Sequence, residues 1–129
     1  MTVATRVLVL LVDDEPTVRM IACDGLEDAG FNVVEATNAH EAMAILLARS
    51  DVGVLFTDVD MPGELDGLDL ADLVHTRWPA IKLVITSGRS LSRAVPVNGR
   101  FIAKPYSMRA MTDLMGPRAS GGAPPENGS

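Results

Sequence analysis

Carboxylates, a hydroxyl and an ammonium follow short apolar runs at four separate places in this 129-residue chain. Residues 6–12 (RVLVLLV) lead into Asp13, Asp14 and Glu15, and residues 53–57 lead into Asp58. Residues 81–86 lead into Ser87, and residues 101–103 lead into Lys104. In an open parallel α/β sheet, ligands bind outside the carboxyl ends of the strands. If the four runs are neighbouring parallel strands, one sheet edge gathers all these groups. Clustered carboxylates are costly unless neutralised, and a divalent cation does this well. Magnesium takes oxygen ligands in near-octahedral geometry and keeps some water, so two carboxylates and a carbonyl suffice. A carboxylate can also attack a phosphoryl donor and carry the group as an aspartyl phosphate. Catalysis is then largely charge placement around the phosphoryl oxygens. Asp58 is the candidate nucleophile, because it stands alone at its strand end between the acid pair and Ser87.

The sequence between these points must supply the strands and helices. Residues 6–12 are continuously apolar and rich in β-branched side chains, as befits a strand buried on both faces. Pro16 suits a first helical position, and Val18, Ile21, Ala22, Leu26 and Ala29 follow at helical spacing to a stop at Gly30. Residues 32–36 predict a second strand. Asn38 with Glu41 three residues on predicts a capping box and a helix to about Arg49, its inner face Ala42, Ile45 and Leu46. Residues 53–57 form the third strand. After a Pro/Gly/Asp-rich loop, residues 68–78 predict a helix with Leu70, Val74 and Trp78 one turn apart, stopped by Pro79. The fourth strand is residues 81–86 and the fifth about 100–103. Ser107 caps a last helix to Met115. Alternating elements imply an α/β fold with a doubly wound, five-stranded parallel sheet in the order 2-1-3-4-5. That order sets Asp13 and Asp14 beside Asp58. Residues 1–115 make one domain, and the tail at 116–129 (GPRASGGAPPENGS) is predicted to be disordered.

Bulk properties narrow the partners. With 47% hydrophobic and 4% aromatic residues, the core should be aliphatic. A net charge of −6 argues against nucleic acid and anionic membrane surfaces as partners. The single cysteine, Cys23, permits no intrachain disulfide and fits a reducing, cytoplasmic setting. Its place in a helical pattern predicts a small core or boundary residue. No apolar stretch reaches membrane-spanning length. His40 and His75 fall in helical patterns without a partner cluster and are expected at exposed positions. Met108, Met111 and Met115 form a stripe that predicts core packing.

Four segments, LVDDEP at 11–16, TDVDMPGELDGLDL at 57–70, ITSG at 85–88 and FIAKPY at 101–106, resemble the receiver domain of bacterial response regulators. Each is weak alone; four in order and at matching spacing are specific, and the likeness runs from about residue 5 to 115. The resemblance implies a flavodoxin-like receiver fold and a stand-alone phosphorylation switch. Asp58 would accept a phosphoryl group from a sensor histidine kinase or histidine phosphotransfer protein. Asp14 would bind Mg²⁺ directly and Asp13 mainly through water, with the backbone carbonyl of Asp60 as a further ligand. Ser87 would swing toward the phosphoryl group and Lys104 would pair with it. Phe101 falls where the family has its switch aromatic, and the bond before Pro105 would be cis. Such a protein is no enzyme beyond catalysing its own phosphorylation and dephosphorylation. It would act as a monomer or weak dimer, on an output protein or as a phosphate shuttle or sink.

Two other readings use the same residues. A receiver-like interaction module working without phosphorylation would show a degraded acid pair, Asp58 or Lys104, and all are intact. Residues 58–69 partly imitate a calcium loop, but Pro62 replaces a ligand, Asp69 replaces the bidentate Glu, and a strand precedes the loop. The chain also departs from the family. The loop after Asp58 is one residue longer than in many receivers, with Glu64 near the insertion. Only residues 88–99 separate the fourth and fifth strands, barely the length of about 10–12 residues that a crossover needs. Pro96 shortens the helical part further, so the fourth helix should be short, irregular or absent. Asp60 and Arg89, each two residues beyond a site residue, are expected to pair across the mouth of the site and modulate loss of phosphate.

Overall fold

The computed structural model describes residues 5–91, 93–96, 99–115 and 119–120. Along the chain lie β1 (Thr5–Arg6), β2 (Leu8–Val12), α1 (Pro16–Asp28), β3 (Asn32–Ala36), α2 (Ala39–Ala48) and β4 (Val52–Asp58). They are followed by α3 (Gly67–Arg77), β5 (Lys82–Ser87), β6 (Gly99–Ala103), α4 (Met108–Met115) and β7 (Ala119–Ser120). The main sheet has five parallel strands in the order β3-β2-β4-β5-β6. Counting only these five in chain order gives the expected 2-1-3-4-5. Of the tail at 116–129, only Ala119–Ser120 lies within the described residues. It pairs antiparallel with Thr5–Arg6, where the composition predicted disorder.

Side-chain alternation divides the core between the two sheet faces. Leu8, Leu10, Val12, Leu55, Leu83 and Ile85 pack with Ala42 and Leu46 of α2 and with Leu70 and Val74 of α3. On the other face Val9, Leu11, Phe56 and Val84 meet Leu26 of α1 and Met111 and Met115 of α4. Each fully buried aliphatic side chain contributes roughly 1.5–3 kcal/mol. Ile21, in the helical stripe, is exposed, lining an open groove with Val18, Ala22 and Lys104–Tyr106. Cys23 is the boundary residue its pattern predicts; burial, with Glu35 and Glu27 nearby, pushes its thiol up to about 11.

The helix starts differ in detail from expectation. Asn38 accepts the Glu41 N–H at 2.8 Å, but the Glu41 carboxylate reaches past Asn38 to the Thr37 N–H and hydroxyl, each at 2.7 Å. The reciprocal capping box belongs to α3 instead. There Asp66 accepts the Asp69 N–H at 2.9 Å and Asp69 accepts the Asp66 N–H at 3.0 Å. Ser107 caps α4 as expected, its Oγ accepting the Ala110 N–H at 3.0 Å.

No helix occurs among the described residues between β5 and β6, in line with the short spacing. This connection is tied to α3 by Arg93, which bonds Asp69 at 2.6 Å and also Asp72. Leu91 and Val95 pack against the core on the same side.

Candidate functional site

Strand register carries the site residues to one edge. Val12 lies opposite Thr57, Asp58 opposite Thr86, and Ser87 opposite Ala103. The ladder runs one step past these ends, with the Val59 N–H on the Thr86 carbonyl at 2.9 Å and the Lys104 N–H on the Ser87 carbonyl at 3.0 Å. Asp13, Asp58, Ser87 and Lys104 are therefore held by sheet backbone rather than by free loops. Gly67 fixes the floor behind Asp58. Its N–H donates to the Val59 carbonyl at 2.9 Å, and a Cβ there would lie 2.0 Å from the Asp58 carbonyl oxygen.

Carboxylate oxygens of Asp13, Asp14 and Asp58 lie within 4.8 Å of one another. Asp13 and Asp58 are buried, at 5% and 6% exposure, whereas Asp14 is open to solvent. Lys104 Nζ stands 3.3 Å from Asp58 Oδ2 and 3.9 Å from Asp13 Oδ2. Burial pushes the Asp58 carboxyl above its ordinary range; Lys104 pulls it back and Asp13 adds to the rise. Burial also raises Asp13, against the Glu15 N–H that donates to its Oδ1 at 2.9 Å. One ammonium thus serves two buried carboxylates, with the Asp14 carboxylate beside them. An all-oxygen, anionic, partly open cluster fits a hard divalent cation such as Mg²⁺.

Around this cluster the remaining predicted residues take definite places. Lys104–Pro105 is a cis peptide. The Asp60 N–H donates to Asp58 Oδ1 at 3.3 Å. Its side chain receives Arg89 Nε at 3.0 Å, so the expected pair forms, and Arg89 holds the Asp60 carboxyl below its ordinary range. Ser87 is buried; its hydroxyl donates to Asp60 Oδ2 at 3.4 Å and accepts the Arg89 N–H at 3.2 Å. Phe101 lies on edge strand β6, 38% exposed and outside the cluster. Tyr106 escaped the sequence reading. Its ring lies 5.9 Å from that of Phe56, and burial with Asp13 and Asp58 nearby pushes its phenol up to about 12. His40 is exposed as expected. His75 is only half-exposed, with Nδ1 buried and without a hydrogen-bond partner.

Residues 9–115 match the response regulator receiver domain. The chain belongs to this family. The receiver is 34% identical over 121 residues to the response regulator protein FleR of Pseudomonas aeruginosa, covering 90% of this chain and 25% of FleR. It is 34% identical over 109 residues to the sensor kinase CckA of Brucella abortus, covering 80% of this chain and 11% of CckA. The chain thus spans a quarter or less of these relatives' length. A crystal structure of a response regulator receiver protein from Pseudomonas putida superposes with a TM-score of 0.75 at 29% identity, covering 88% of this chain and 98% of that one. No helix among the described residues is long and apolar enough to cross a membrane.

Proposed function

We propose that this receiver is switched by phosphorylation of Asp58, with a sensor histidine kinase or histidine phosphotransfer protein as donor. The observation that carries the reading is the buried Asp58 carboxylate set 3.3 Å from Lys104 and beside Asp13 and Asp14. A carboxylate oxygen of Asp58 attacks the phosphorus of a phosphohistidine. The new O–P bond forms as the N–P bond breaks, and the imidazole leaves with a proton taken up from water. Lys104 stabilises the phosphoryl oxygens by charge, and the Ser87 hydroxyl supplies a hydrogen bond once it turns toward them. Asp13, Asp14, Asp58 and the backbone carbonyl of Asp60 would hold Mg²⁺, which supplies positive charge for both carboxylate and phosphoryl oxygens. Hydrolysis returns the carboxylate and inorganic phosphate, so the chain acts on itself and is not an enzyme toward other substrates.

The likeness to a response regulator and to a sensor kinase supports a place in two-component phosphotransfer. The face on which output is read differs from that of receivers with a full fourth helix, because the segment replacing it is tied down on α3. Phe101, already turned outward, is the proposed switch aromatic on that side. Incubation with a small phosphodonor and Mg²⁺ is expected to add one phosphoryl group, and Asp58→Asn should take up none. An unphosphorylated wild type would instead favour a module that binds partners without phosphate.

The Asp60–Arg89 pair spans the mouth of the site, where a hydrolytic water must approach. Arg89→Ala is expected to speed loss of phosphate about two- to fivefold. The effect is modest because Arg89 is 74% exposed on its side chain and exposed ion pairs are weak. Equal decay of the phosphorylated wild type and variant, followed by mass spectrometry, would remove this role.

A further inference from the structure

Ser87 is buried, yet its hydroxyl is already engaged in a direction other than the phosphoryl position. It donates to Asp60 Oδ2 at 3.4 Å and accepts the Arg89 N–H at 3.2 Å. Asp60 is itself fixed from outside, its Oδ1 receiving Arg89 Nε at 3.0 Å. Asp60, Ser87 and Arg89 therefore close a small ring of hydrogen bonds beside Asp58. A hydroxyl has one proton to give. Ser87 cannot donate to a phosphoryl oxygen on Asp58 until it lets go of Asp60.

We propose that Asp60 and Arg89 are positioning residues that hold the Ser87 hydroxyl away from the phosphoryl site in the resting receiver. The inference rests on the phosphoacceptor reading of Asp58 and deepens it. The resting Ser87–Asp60 hydrogen bond is long, at 3.4 Å, so a phosphoryl group that binds the turned hydroxyl better can shift the balance by its differential affinity. Arg89 keeps the Asp60 carboxylate turned toward Ser87 instead of into water. Since the ion pair is exposed, the hold is weak and falls with added salt. A weak hold suits a switch: it sets the resting state without resisting phosphorylation strongly. This effect is separate from shielding against water, since it acts before any phosphoryl group is present.

The test is the affinity for beryllofluoride, a phosphoryl mimic, measured by calorimetry in Mg²⁺ for Asp60→Ala, Ser87→Ala and the double variant. Losing the Asp60 charge favours an anion whether or not Ser87 is present, so the cycle isolates the hydrogen bond. Asp60→Ala is expected to tighten binding at least threefold more with Ser87 present than in the Ser87→Ala background, and high salt should shrink the difference. Equal fold-changes in both backgrounds would overturn the positioning role while leaving Asp58 as acceptor. Absence of binding by the wild type would overturn the acceptor reading and this role together. A second cycle with the exposed Arg89 avoids disturbing the loop after Asp58. Arg89→Ala removes a positive charge and should weaken binding in the Ser87→Ala background. With Ser87 present the released hydroxyl should cancel or reverse that loss. An equal loss in both backgrounds would again overturn the proposal.

Discussion

Lys104→Met should slow phosphorylation of Asp58 by a small phosphodonor about 100-fold. Removing one preorganised electrostatic stabiliser from a water-poor site costs about 10²–10³ in rate. Lys104 is the one side chain among the described residues that forms ion pairs with the buried Asp13 and Asp58 carboxylates. Its position is set by backbone, since its N–H extends the ladder on the Ser87 carbonyl. Methionine keeps most of the aliphatic stem, so the loss reads on charge rather than packing. Initial rates of adduct formation measured by intact mass test this. A rate within about twofold of wild type would show that Lys104 is a bystander.

Asp13→Asn should stabilise the metal-free receiver and remove most of its response to Mg²⁺. An asparagine oxygen can still accept the Glu15 N–H that now meets Asp13 Oδ1 at 2.9 Å. What it removes is a buried negative charge that faces Asp58 and Asp14. The pH dependence has a definite sign. Burial raises the folded-state pKa of Asp13 above its ordinary 3.8. Below 3.8 the folded and unfolded chains are both protonated there, and Asp13 costs nothing. As pH rises through 3.8 toward the raised folded value, the unfolded chain releases its proton first and stability falls. Above the folded value the loss is complete. The variant's advantage should therefore be absent in acid and full at pH 7. In a domain of this size about 1 kcal/mol moves Tm by roughly 3–6 °C, so thermal melts resolve it. Mg²⁺ at 100 times its Kd should return about 2.7 kcal/mol to the wild type and much less to the variant. A variant that melts below wild type without metal at pH 7 would contradict this account of the cluster.

The centre of the sheet was legible because β2, β4 and β5 are almost wholly buried and therefore apolar, and because each leads into a residue of different chemistry; the half-exposed edge strands β3 and β6 gave weaker signals. Strand order then followed from alternation of elements, and it alone placed Asp13 and Asp14 beside Asp58. Interactions distant in sequence were not legible. Nothing local marks Arg93 as the tie to Asp69 and Asp72 across 24 and 21 residues, although the lack of room for a helix was clear. The offsets of Asp60 and Arg89 from the site suggest their pairing, but no local signal places the Ser87 hydroxyl on Asp60. The α3 capping box went unread because Asp69, not the usual Glu or Gln, closes it. Ile21 failed for a simple reason: helical periodicity gives a stripe, and only packing fixes its edges. The half-exposed His75 is the converse case.

The most direct measurement is intact mass with peptide mapping after incubation with a small phosphodonor and Mg²⁺. One phosphoryl group on Asp58 is predicted for the wild type, nearly absent with a chelator and absent from Asp58→Asn. A wild type that stays unmodified, or a phosphoryl group mapped to any residue other than Asp58, would contradict the phosphoacceptor account.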